Sequence, residues 1–147
     1  MAEQPETDNE QLLQAVARAT ESEKNELDEL LTLTRDQSLK TEMLRQKREI
    51  CRIGRQAHTA LAALGSAAQG QNAAARMARS MALRTRTMLD KSTRNLAGLL
   101  AEEAGRTAAA CRRAEDGCPQ ASAGAQKLSR ELAELASGAE QAWRAFL

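Results

Sequence analysis

The sequence has almost no aromatic side chains. Trp143 and Phe146 are the only two in 147 residues, and tyrosine is absent. A globular core usually draws about 1.5–3 kcal/mol from each large apolar side chain it buries. Here alanine supplies much of the 42% hydrophobic content, which favours thin, close-packed seams over a thick core. The same scarcity removes the stacking platforms that read unpaired bases. Two prolines and few β-branched residues exclude an extensive sheet. A single histidine, His58, has no partners at the spacing of a metal site or a nucleophile–base pair. Cys51, Cys111 and Cys118 are an odd set without CxxC spacing, which excludes a disulfide framework and indicates a reducing compartment. Cys118, in a predicted loop near Arg112 and Arg113, is the one thiol placed for reactivity. No glycine-rich phosphate loop is expected where no strand is expected. The acidic pairs Glu102-Glu103 and Asp28-Glu29 are adjacent rather than facing and read as solvated helix surface. No catalytic residue, metal site or cofactor is implied.

Long apolar runs are missing as well. The uncharged stretch 56–75 holds only Leu61 and Leu64 as large apolar residues, so it is not a membrane span. The acidic start, Met-Ala-Glu-Gln-Pro-Glu-Thr-Asp, does not read as a signal peptide. The expectation is a soluble intracellular protein, cytoplasmic, with the nucleus as the other compartment open to it.

What is present is helix-forming. Alanine, leucine, glutamate, glutamine and arginine dominate, and the fold class expected is all-α. A frayed, disordered acidic tail is expected over 1–7. An N-terminal amphipathic helix should follow over 8–34, opened by a Thr7/Glu10 capping box. Its apolar face is Leu13, Val16, Ala17, Thr20, Leu27 and Leu31, interrupted by Lys24. A soft joint falls between Thr34 and Ser38. From Leu39 to Ala104 one stripe runs at helical steps of three and four: Ile50, Ile53, Ala57, Leu64, Ala68, Gln71, Ala75, Ala78, Ala82, Thr85, Leu89, Ser92, Leu96, Leu99. Gly65, Gly70 and Asn72 suggest a turn at 65–72, which would give a four-helix bundle. The stripe keeps its phase across them, which favours one long central helix, coiled-coil-like, over 39–104. Gly105 should end that helix. A linker spans 105–120, with a turn at Asp116-Gly117-Cys118-Pro119. The last helix, 121–147, carries the seam Ala125, Leu128, Leu132, Leu135, Ala139, Ala142, Phe146, with Trp143 beside it and a capping box at Ser137/Glu140 that would allow a kink.

Net charge is +1, unevenly placed. Residues 1–31 carry nine acids and two bases, and residues 35–94 carry thirteen bases and four acids. Arg76, Arg79, Arg84, Arg86 and Arg94 lie away from the stripe, where contacts to an anion would form. Two LxxLL strings, at Leu27–Leu31 and Leu96–Leu100, each set leucines on one side of a helix. Met77, Met81 and Met88 recur on one flank of the stripe.

The function these features suggest is a non-enzymatic scaffold or adaptor subunit of a multi-protein complex. Its interface would be Ile50, Ile53, Leu64, Gln71, Ala75, Ala78, Ala82, Leu89, Leu96 and Leu99 in the long helix, with Leu128, Leu132, Leu135 and Phe146 in the last. The partners would be other helical subunits, in a hetero-oligomer or a homo-oligomer. Two alternatives stand beside it: a basic module for nucleic acid or an anionic membrane, and a transcriptional co-regulator acting through the LxxLL helices. In general architecture the chain is similar to small helical subunits of lysosome-positioning, vesicle-tethering and kinetochore complexes, and to the cytosolic part of a SNARE. That likeness implies assembly through helix packing.

Overall fold

The computed structural model describes residues 4–70 and 72–147, with side chains from Thr7 onward. The chain is all-helical, with helices α1 (Gln4–Leu31), α2 (Gln37–Ala63), α3 (Ala73–Met88), α4 (Thr93–Gly117) and α5 (Ala123–Arg144). Four of them, α1, α2, α4 and α5, pack as a bundle. Its core forms two clusters, one at each end. One gathers Leu27 and Leu30 of α1, Leu39, Met43 and Ile50 of α2, Leu96, Leu99 and Leu100 of α4 and Trp143 of α5. The other gathers Leu12, Leu13 and Val16 of α1, Ile53 and Leu61 of α2, Cys111 of α4 and Leu132 of α5. This pairing of helix ends makes α1 antiparallel to α2 and α4 antiparallel to α5, with α2 and α4 running the same way. Between those two the chain must return along the bundle, and α3 is that return.

Side-chain caps mark the helix starts. Asp36, Asn72, Ser92 and Ser122 accept the amides of Leu39 (2.8 Å), Ala75 (2.7 Å), Asn95 (3.2 Å) and Ala125 (3.2 Å). Each satisfies a free amide of a first helical turn. The joint after Thr34 and the turn at Cys118-Pro119 lie where the sequence places them.

The central stretch differs from the continuous helix expected over 39–104. It is broken twice, after Ala63 and after Met88. At the first break Gly65 takes φ 76°, a left-handed conformation that side chains resist. Its amide bonds Ala62 O at 3.0 Å, and the Ser66 amide bonds Leu61 O at 2.9 Å. That pattern closes a helix by satisfying its last carbonyls. At the second break the Asp90 side chain accepts the Ser92 amide at 3.0 Å, and Asn95 donates to the Asp90 carbonyl at 2.7 Å. The break after Ala63 matches the turn of the bundle alternative, with a fifth helix added. The continuous stripe phase across the glycines therefore does not reflect one helix.

Three further boundaries move. Helix α1 already includes residues 4–7, where a disordered tail was expected, so Thr7 and Glu10 lie inside the helix rather than at its start; residues 1–3 lie outside the described ones. Gly105 does not end α4, which continues through the expected linker to Gly117. A Cβ at Gly105 would make only ordinary contact, 3.7 Å, with the Glu140 carboxylate, so the residue sits in the helix without forcing an end. Helix α5 runs unbroken past Ser137 and Gly138. Its buried row is Ala125, Ser129, Leu132, Ala136, Ala139 and Trp143, one step round from the expected seam. The indole is the largest side chain on the helix and goes inside, while Leu128, Leu135 and Phe146 cover the cluster edges.

Replacing Leu99, 2% exposed, by alanine is expected to destabilise the fold by about 2–5 kcal/mol. Replacing Leu89, 95% exposed, is expected to change it by under about 0.5 kcal/mol. Urea denaturation of the two variants beside the parent measures both.

Candidate functional site

Helix α3 lies over the groove between α1 and α4 without filling it. Thr87 is its one buried residue, and Ser80 and Leu83 are half-buried. A cleft of about 1200 Å³ opens beneath it. Ala15, Ala19 and Ser22 of α1 and Thr107 and Ala110 of α4 form the floor. Ala73, Met77 and Met81 of α3 lie along the roof. A second space of about 510 Å³ shares Arg18 and continues toward Gln14 and Gln69. The crossover is tied down there, where the Gln14 amide group donates to Ala67 O and accepts the Gln69 amide, both at 2.8 Å.

What holds α3 is mostly charge, with Leu83 packed against the core beside it. Arg79 reaches Glu103 at 2.6 Å, Arg86 reaches Glu102 at 2.7 Å and Arg76 reaches Glu21 at 3.6 Å. Ser80 donates to Glu29. Glu103 is buried and also accepts from Arg106 at 2.7 Å and from the Ser22 hydroxyl at 3.1 Å. Two more carboxyls stand close to it, Glu23 and Glu26 of α1. Burial pushes Glu23 up to about 7; the Thr107 hydroxyl opposes this and the Glu103 charge adds to it. Burial also pushes Glu26 up to about 8, reinforced by Glu103 and opposed by Arg106 and Arg79. Glu26 Oε2 is buried without a hydrogen-bond partner, a placement that disfavours the anion.

The expected interface residues divide. Ile50, Ile53, Leu96, Leu99 and Leu132 are buried among this chain's own helices, and Leu128, Leu135 and Phe146 are partly so. Leu64, Leu89, Ala75, Ala78 and Ala82 are exposed. Gln71 lies outside the described residues. The leucines of both LxxLL strings sit in or against the core, with only Leu31 partly open. The expected anion contacts divide too. Arg76, Arg79 and Arg86 are spent on carboxylates, whereas Arg84 and Arg94 make no ion pair among the described residues. Helix α3 thus leaves Ala75, Ala78 and Ala82 exposed and pairs three of its arginines with carboxylates of α1 and α4, the reverse of the expected orientation. Alanine offers little area to bury, and a buried carboxylate without a cation is costly.

The remaining candidates change character. His58 is exposed. Cys118 is buried rather than poised in an open loop, and burial with the Asp8 charge holds its thiol above the usual value. Burial pushes Cys111 up to about 11. Among the described residues no cluster of histidine, cysteine, aspartate and glutamate is arranged to hold a metal ion, and no helix is long and apolar enough to cross a membrane.

Glu103 is buried within an acidic cluster, not on the solvated surface expected for Glu102-Glu103. A signal existed. Thr20, Glu23, Leu27 and Leu30 follow helical steps, and so do Leu96, Leu99, Glu103 and Thr107. Both glutamates therefore stand on apolar rows.

Two outcomes follow for this cluster. A carboxyl held above its unfolded value of 4.5 stabilises the fold while protonated, and that contribution is lost as pH rises through its folded value. Stability should therefore fall between about pH 5 and about pH 8, and Glu23→Gln with Glu26→Gln should flatten the slope in urea titrations across that range. Arg79→Ala with Arg86→Ala should lower the cost of opening α3 by roughly 1–3 kcal/mol. Hydrogen exchange would then quicken over 73–88 while the other helices stay protected.

No protein-family model matches the chain, and no curated protein or solved structure matches it either.

Proposed function

We propose that the chain is a non-enzymatic helical adaptor, a subunit that joins other protein chains through α3 and the cleft beneath it. The observation that carries this reading is the apolar edge of α3. Met77, Met81 and Met88 are 60 to 67% exposed and Leu89 is 95% exposed, although the bundle beside them buries its leucines well. Placing such side chains in water forgoes about 1.5–3 kcal/mol each, which a partner surface recovers. Methionine suits a surface that must adapt to its partner. The bundle is then a scaffold, and α3 is the binding element, held to it by polar contacts and by Leu83.

Two other readings have less support. A nucleic-acid or anionic-membrane module needs a free basic face, and three of the five candidate arginines are already paired with carboxylates. A co-regulator working through LxxLL helices needs leucines that the core already holds.

Met88→Asp with Leu89→Asp tests the adaptor reading, because neither side chain is buried. The parent should retain a specific set of proteins from native lysate, and the variant should lose it while keeping the parent's helical content by circular dichroism. An unchanged set of retained proteins would overturn the reading.

A further inference from the structure

The cleft under α3 carries a pattern of charge that its internal ion pairs do not use. Arg18 on α1, Arg84 on α3 and Arg113 on α4 all line it. None of the three makes an ion pair or hydrogen bond among the described residues, whereas Arg79, Arg86 and Arg106 at the same cleft are paired. Three helices thus bring unneutralised guanidinium groups to one opening. Between them the floor is Ala15, Ala19 and Ala110. Such small side chains let a helix backbone approach closely.

The shape is that of a groove. Its lining runs along α1 from Ala15 to Glu29, about 21 Å at the helical rise. A helix about 11 Å across would need roughly two turns to fill 1200 Å³. The methionines of the roof complete an apolar lining, and the arginines give it a charged rim.

We propose that this cleft is the docking site for an acidic amphipathic helix of a partner protein. Its apolar side would rest on the alanine floor and on Met77 and Met81. Its carboxylates would pair with Arg18, Arg84 and Arg113. Charge complementarity selects this occupant. The carboxyls that line the cleft are buried, paired or hydrogen-bonded within the chain, which leaves an excess of positive charge for an incoming acid. The inference rests on the adaptor reading and names the kind of partner it would take.

The test uses the full chain and a synthetic amphipathic helix of about four turns, with leucine on one side and glutamate on the other. A lysine-for-glutamate version is the control. Fluorescence anisotropy should show the glutamate helix binding and the lysine helix not. Arg18→Glu with Arg113→Glu should weaken binding about tenfold or more; both side chains are exposed and unpaired, so the fold should persist. A photo-crosslinking group on the leucine side should label 15–22 and 107–113. Equal binding of the two peptides, full affinity in the double variant or crosslinks confined to other surfaces would overturn the proposal. A preference for phosphatidylserine vesicles or RNA over the glutamate helix would overturn it as well. If the glutamate helix fails while Met88→Asp with Leu89→Asp still abolishes retention of lysate proteins, the adaptor reading stands and the cleft assignment falls.

Discussion

The buried carboxylate of Glu103 sets the arrangement around it. It accepts from Arg79 of α3, Arg106 of its own helix and Ser22 of α1, so one side chain joins three helices. An anion taken out of water needs this many donors to persist. Its demand for cations turns the arginine side of α3 inward. The same demand explains the cleft. Arginine is long, and a helix tethered by guanidinium groups to a buried acid stands off from the floor beneath it. Small side chains on that floor leave the gap unfilled.

The leucines explain why α3 can be held so loosely. The chain has few bulky groups, and the bundle uses most of them at its two ends. Close approaches fill the rest. A Cβ at Gly54 would lie only 3.0 Å from Thr20 Oγ1, and the buried Ser129 hydroxyl meets the Cys111 carbonyl at 3.4 Å. A close-packed core of leucine and alanine therefore closes with Leu83 as the one α3 side chain packed against it. Apart from Leu83, what remains for α3 is polar tethering, and elements with few buried apolar contacts open first. The least anchored helix also shows Met77, Met81 and Met88 to solvent, with Leu89 at its end. A binding element of that kind combines an accessible apolar edge with a low cost of rearrangement.

The acidic cluster links this element to pH. Glu23 and Glu26 lie beneath α3 with their carboxyls pushed up to about 7 and about 8, so their charge changes near neutrality. Protonated, they leave Glu103 as the main anion facing Arg79 and Arg106. Ionised, they place three acids against two arginines in a buried space, which strains the α1–α4 seam.

Much of the architecture was legible from local patterns. Helix-forming composition, the joint after Thr34, the turn at Cys118-Pro119 and the leucine rows at both ends follow from propensity, capping and periodicity. Each of these acts within a few residues. The fate of 64–92 was not local. Its alanine stripe kept helical phase, but phase says only which side chains share a side, and burial depends on what that side meets. Leucine rows elsewhere offered far more area than alanine, so they took the core. The glutamates on the rows of α1 and α4 required cations, so they took the arginines of α3. Sequence alone therefore determined that the chain is helical, and it placed the joint after α1 and the turn before α5. Only the tertiary competition for buried area and for counter-charge decided that α3 faces inward with its arginines and leaves its alanines and an open cleft to solvent.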